Sequence, residues 1–397
     1  MVNSTHEVIL CFLNCLNEIY TILYIVNIAN TYQLLFPMEL KAVNDNTIRT
    51  KEYSFPNKND KNKSFNHLIF KSFPMEQLSF TDLEIEIRRK TRKTRLERLT
   101  QRLESLIPWK DLLDLIRPHY FVSGRRGRQP YALELMLRIH LLQITYNLSD
   151  PQMEDCLHEN FTVRKFVGLS MADRTPDETT ILQFRHILEK HDLGPQIMQI
   201  VNAKINAAGL HLVKGRIVDA SFIEAPTSTK NKTGTRDPEM TSGKKGNTWH
   251  FGMKMHVATD EIIGIAMDVV YGPANEHDIT RAREVIADDT RVVYGDAGYV
   301  GITQRDEFQD LSRADYMIAR QPGCLKTMSQ DSAEREMERF KASVRSKVEH
   351  VFKRVKLDMG YSKTRYRGIK KNAHRISTLL AVANLFCFDC WRRRSVA

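Results

Sequence analysis

Three acidic residues, far apart in this 397-residue chain, occupy positions where a carboxylate has chemical uses. Asp219 lies in the middle of Ile217-Val-Asp-Ala-Ser221, where strand alternation turns it to the same side as Ile217 and Ser221. Burying it among apolar strand residues is costly unless it is paired or metal-bound. Asp296 follows the apolar run Val292-Val-Tyr294, and ligands gather at strand ends in open α/β sheets. Glu349 borders a helical stripe of Val344, Val348, Val351, Phe352 and Val355. At about 100° per residue, Arg345, Glu349 and Lys356 fall within roughly 40° of one another on the margin of that stripe. Each acid also has a plainer reading: a hydrogen-bonded strand Asp, an ordinary Asp-Ala-Gly turn, or a surface Arg345–Glu349 pair at i, i+4. As a set, two strand carboxylates and one helix carboxylate are what two-metal phosphoryl transfer requires. Mg²⁺ prefers oxygen ligands, and two ions about 3.5–4 Å apart stabilise both the attacking and the leaving oxygen. Arg345 and Lys356 are expected to neutralise phosphates beside the metals.

The elements that must position these residues follow from texture. Arg216 to Ala225 is β-branched and aromatic, and Trp249–Ala258 with Ile262–Tyr271 reads as a hairpin closed near Asp260-Glu261. The intervening Lys230–Gly246 stretch is rich in Lys, Thr and Gly and reads as a loose basic loop. A helix capped by Asp278 is expected next, then strands at Arg291–Tyr294 and Tyr316–Ala319 with a helix between them, and a long helix over Ala333–Lys356. This succession is a mixed α/β layer fold. Upstream, helical signals run from Met75 to about residue 208, with Ser149-Asp-Pro151 and Pro176-Asp-Glu-Thr-Thr180 as helix starts. Three regions result: residues 1–74, a polar and poorly ordered extension; 75–208, an all-helical module; and 209–397, the α/β domain.

Lys and Arg number 59 against 48 Asp and Glu, a formal net charge of +11, so nucleic acid leads the partner classes. The loop Gly124-Arg-Arg-Gly-Arg-Gln-Pro130 suits phosphate contact through Arg125, Arg126 and Arg128, and the run from Arg88 to Arg98 is either a DNA-backbone contact or a solvated helix face. Trp249, Phe251, Met253, Met255 and Val257 alternate along one strand as a core face, with Trp249 at its start also able to stack on an extruded base. His250 and His256 lack zinc spacing, and the lone Cys387-x-x-Cys390 is assigned no metal. Six cysteines make no disulfide framework, so a reducing, cytoplasmic setting is expected. The apolar stretch Val8–Phe36 is interrupted by Glu18 and four asparagines, which argues against a membrane role.

These residues resemble the DDE transposases of bacterial insertion sequences, in particular the insertion sequence five family. The likeness is carried by Gly127-Arg-Gln-Pro130, Leu137-Arg-Ile-His-Leu-Leu-Gln143, Leu148-Ser-Asp150, Phe184-Arg185, Val218-Asp-Ala220, Gly272-Pro-Ala-Asn275 with His277-Asp278, and Gly295-Asp-Ala-Gly-Tyr299. The spacing of Arg345, Glu349 and Lys356 completes it. The sequence departs from the family at Ala342, where a tyrosine is frequent, and before Met75 it matches nothing in the family, as translation from an upstream start would produce. The resemblance implies an RNase H-like core preceded by a helical DNA-binding domain. It also implies Asp219, Asp296 and Glu349 as the catalytic metal ligands for two Mg²⁺ ions, with Mn²⁺ as a substitute. The implied partners are double-stranded DNA, both terminal inverted repeats and target, bound by a dimer at the nucleoid.

Overall fold

A computed structural model describes residues 92–395, apart from 122–123, 125–127, 209–214, 233 and 312–313. Residues 1–74 and the basic positions Arg88, Arg89, Lys90, Arg125 and Arg126 lie outside the described residues. The helical part runs α1 (Arg95–Leu106), α2 (Trp109–Ile116), α3 (Leu133–Thr145), α4 (Asp150–Glu159), α5 (Phe161–Val167), α6 (Glu178–Lys190) and α7 (Leu193–Ala207). The α/β part follows with β1 (Gly215–Glu224), β2 (Thr241–Lys245), β3 (Thr248–Asp260), β4 (Ala266–Pro273), the short α8 (Ala282–Val285), β5 (Val292–Gly295), β6 (Asp315–Ile318), α9 (Pro322–Thr327), α10 (Ala333–Lys353) and α11 (Ile369–Ser395). No helix among the described residues is long and apolar enough to cross a membrane.

Helix starts fall where the side chains dictate. Ser149 accepts from the Gln152 amide while the Gln152 side chain returns to the Ser149 amide, a closed capping box at α4. Asp177 caps α6 by accepting from the Thr180 amide. Asp150 in the first turn of α4 then receives Arg185 at 2.6 Å and Gln143 at 2.7 Å, which locks α3, α4 and α6 together. At the end of α5, Gly168 takes the left-handed conformation (φ 85°) that lets the Leu169 amide return to the Arg164 carbonyl.

The sheet is six-stranded, with β2 and β4 sharing one flank of β3, then β1, β5 and β6 in order. β1 pairs antiparallel with β3 and parallel with β5, and β5 is parallel to β6. One face presents Ile217, Ile223, Met253, Met255, Val257 and Tyr294 to α10, whose Val344, Val348, Val351 and Phe352 are all buried. Each such side chain contributes roughly 1.5–3 kcal/mol. The other face carries Val218, Ala258 and Val293 against Val285, Tyr299, Phe308 and Leu311. The core on the α10 face is continuous with that of the helical part, since Leu103, Leu137 and Ile197 belong to the same cluster.

Four expectations are corrected. The basic loop contains strand β2, which pairs with β3 across the two-residue turn Gly246-Asn247, Gly246 adopting φ 59°. A Gly-Asn turn is a hairpin signal that the Lys-rich composition obscured. Among the described residues no α-helix separates β5 from β6; Gly301 at φ 87° breaks the run, and short 3₁₀ turns insert Tyr299, Ile302, Phe308 and Leu311 into the core instead. The long helix stops at Lys353 and widens into a π-turn over Arg354–Asp358, so Lys356 does not continue the helical margin of Arg345 and Glu349. Asp278 is no cap: His277 holds that position without a side-chain bond, and the Asp278 carboxylate is taken by Lys254 at 2.9 Å.

Asn384 ties the two parts together. It is fully buried on α11, accepts from the Ala266 amide at 3.0 Å, and donates to the Ala266 carbonyl and the Asn202 side chain of α7. Asn384→Ala would strand these groups in the interior, and a loss of about 2–4 kcal/mol in urea unfolding is expected. A loss below about 0.5 kcal/mol would show that the tether contributes nothing.

Candidate active site

The parallel ladder of β1 and β5 pairs Gly215 with Val292, Arg216 with Val293 and Ile217 with Tyr294. Asp219 and Asp296 each lie two residues past the last of these pairs. Alternation therefore turns both toward the α10 face, on strands about 4.8 Å apart. The half-buried Asp219 carboxyl is pushed up to about 6, first by burial and then by the negative charges of Asp296 and Asp278; the Ala220 amide, donating at 2.7 Å, and Arg345 oppose the rise. Asp296 accepts from the Gly298 amide at 2.8 Å and so also caps the turn that follows, which makes the turn reading and the site reading compatible.

α10 crosses this face obliquely. Phe340 meets Tyr294 of β5 edge to face, Lys341 donates to the Ile318 carbonyl of β6 at 3.0 Å, and Lys347 donates to the Glu261 carbonyl beyond the end of β3. Arg345 enters the field of Asp219 and Tyr299. Helix geometry puts Glu349 about 40° from Arg345, on the flank opposite the one anchored by Lys347. Its side chain is exposed, and the leading charges on Asp219 are those of Asp296, Arg345 and Asp278 rather than its own. Lys356 turns back from the π-turn to donate to Ser221 Oγ at 2.7 Å, two residues along β1 from Asp219. Burial holds the Lys356 ammonium below its ordinary value, with neighbouring Lys245 acting in the same direction.

The remaining expected contacts scatter. Arg128 lies over the Tyr131 ring, donates to the Tyr131 hydroxyl at 2.6 Å and stands 3.6 Å from the Asp177 carboxylate, at the start of α6. Trp249 departs from the buried stripe formed by Met253, Met255 and Val257: it is 67% exposed, opposite Lys244 on the β2–β3 hairpin. His250 stacks on Phe222, and His256 is buried on the far face.

Residues not singled out in the sequence complete the surroundings. Lys254, buried on β3, donates to the Asp278 carboxylate and to the Glu276 carbonyl at 2.6 Å. Tyr299 is 1% exposed; burial raises its phenol well above the ordinary value, and Asp278, Asp219 and Asp296 add to the rise. A lysine alternating with Met253 and Met255 is a readable signal, since a buried ammonium demands a carboxylate partner.

In donor chemistry the site fits a divalent cation, because two crowded carboxylates repel each other and a hard cation relieves that repulsion. In arrangement it is incomplete: among the described residues, no group of three or more His, Cys, Asp or Glu side chains stands ready to hold a metal ion.

Residues 213–385, which contain Asp219, Asp296 and Glu349, match the family described as Transposase DDE domain, and residues 87–187 match Transposase domain (DUF772). No solved structure matches the chain. The mixed sheet preceded by a helical part is consistent with that domain, and the domain match marks a DNA-cutting and DNA-transferring enzyme. The chain belongs to the DDE transposases.

The raised Asp219 has a measurable consequence in metal-free buffer. Its carboxyl goes from an ordinary 3.8 to about 6, so the folded chain retains a proton that the unfolded chain releases. Stability from that proton is complete below about pH 4 and is lost as pH rises through about 6. Asp219→Asn should match the unsubstituted protein near pH 4 and exceed it by up to about 3 kcal/mol at pH 8 in urea unfolding. Equal stabilities at pH 8 would contradict this electrostatic account.

Proposed function

We propose that this chain is an insertion-sequence transposase of the insertion sequence five kind. It binds terminal inverted repeats through its helical part, residues 75–208, and cuts and rejoins DNA with Asp219, Asp296 and Glu349 of the α/β part, residues 209–397. The observation that carries this reading is Asp219 on β1 and Asp296 just past the end of the parallel neighbour β5, each two residues beyond the last ladder pair, together with the raised Asp219 carboxyl.

Two Mg²⁺ ions, with Mn²⁺ as a substitute, would activate the attacking oxygen and stabilise the leaving one. Asp219 and Asp296 would hold the cations, and Glu349, one helical turn beyond Arg345, would join them by rotation of its exposed side chain. Arg345 and Lys356 meet the phosphates flanking the scissile bond. Water attacks phosphorus and frees a 3′ hydroxyl; that hydroxyl then loses its proton as it attacks a target phosphate, so each step makes one P–O bond and breaks another. Trp249 and the lysines of its hairpin border the site through Lys245 and Lys356, which suits stacking on a base beside the cut. Arg128, with Arg125 and Arg126, serves the helical part's grip on phosphates. A dimer on DNA, acting in the cytoplasm at the nucleoid, completes the proposal.

Asp219→Asn and Glu349→Gln should each lower Mg²⁺-dependent nicking and joining of labelled terminal-repeat DNA by about 1000-fold or more, on the order of 4 kcal/mol, while leaving duplex binding nearly intact. Full cleavage by either variant would remove that residue from the mechanism.

A further inference from the structure

The last turn of α11 and the basic face of α1 meet around one carboxylate. Asp389 is 1% exposed on α11, and three guanidiniums converge on it: Arg102 of α1 at 2.9 Å, Arg393 at 2.9 Å and Arg392 at 3.5 Å. Burying a carboxylate is costly and needs cationic partners, but one partner would suffice. With three, a single negative charge cancels only one of the positive ones. Arg392 and Arg393 remain well exposed, with side-chain exposures of 59% and 64%, and keep donors directed to solvent. Arg98 precedes Arg102 on the same stripe of α1, and Arg394 follows on α11; both are exposed. Cys390 lies between Arg102, whose Nη2 is 4.0 Å from its sulfur, and Arg354 of the π-turn, whose guanidinium also bonds Cys387. Two residues further along the π-turn, Lys356 touches Ser221 beside Asp219.

We infer that this ridge of Arg98, Arg102, Arg392, Arg393 and Arg394, organised by the buried Asp389, is a phosphate-binding surface for duplex DNA that leads away from the carboxylate site. A planar guanidinium offers paired donors matched to phosphate, and Asp389 orients three of them in advance, so less conformational freedom is lost on binding. Its exposed side chains are mostly guanidiniums, which suit phosphate oxygens, so the ridge serves as a positioning surface without strong sequence preference. The inference rests on the reading of DNA as partner and adds a surface at the junction of α1 with the end of α11.

The test uses the full chain with a fluorescent duplex of arbitrary sequence, titrated by anisotropy over a salt series. Arg392→Ala/Arg393→Ala should weaken binding several-fold at each salt concentration and reduce the slope of log affinity against log salt by about two, at about 0.9 for each phosphate no longer neutralised. Arg392→Lys/Arg393→Lys, which keeps the charge, should recover most of that slope. Thermal melting of each variant separates binding from folding. A lowered melting temperature with an unchanged slope would make the cluster a structural tether and overturn the inference. So would unchanged duplex binding with lost self-association. Failure of the unsubstituted chain to bind duplex would instead overturn the reading of DNA as partner.

Discussion

A carboxylate in the middle of β1, Asp219, and one just past the end of the parallel β5, Asp296, repel each other, and the surrounding charges answer that repulsion. The β1–β5 ladder is the constraint: it pairs Ile217 with Tyr294, and the two acids follow two residues later on each chain segment. Arg345 offsets part of the cost from α10, while Asp278 adds to it, and the outcome is a carboxyl at about 6. Such strain is costly to a folded protein unless a cation is expected. Asp278 would add still more negative charge if Lys254 did not engage one of its oxygens.

The packing serves the same arrangement. A helix that brings Arg345 into the field of Asp219 has to lie on the face shared by Ile217 and Tyr294, and its apolar stripe secures that. Its polar anchors sit at three separate places: the carbonyls of Ile318 and Glu261, and the hydroxyl of Ser221. The π-turn sets the direction of the last of these bonds, since Lys356 reaches β1 only after the backbone has widened by one residue.

Much of this is legible in the residues. The valine stripe of α10 and the caps at Ser149 and Asp177 follow directly from them, because each rests on local periodicity or a local hydrogen bond. The alternation that turns Asp219 toward one sheet face is likewise a local property of β1. What escapes a reading of the sequence depends on partners distant along the chain or on departures from regular geometry. Asp278 has the local signature of a cap, but Lys254, 24 residues away, claims it. The π-turn has no periodic signal, and β2 is concealed by lysines that an edge strand tolerates on its solvent side. Glu349 belongs to the helix margin that periodicity assigns it, but the direction of a long exposed side chain is not set by sequence.

The tether formed by α11 bears on the order in which the chain can be completed. Asn384 meets Ala266 and Asn202, and Asp389 meets Arg102, across 118, 182 and 287 residues. Until the last helix leaves the ribosome, β4 and α7 lack their cover and Arg102 its counter-ion. Closure this late leaves apolar surface open to chaperones and to aggregation during synthesis. A nascent polypeptide stopping short of Ile369 would carry all three acids of the proposed centre and still lack a finished interior to hold them.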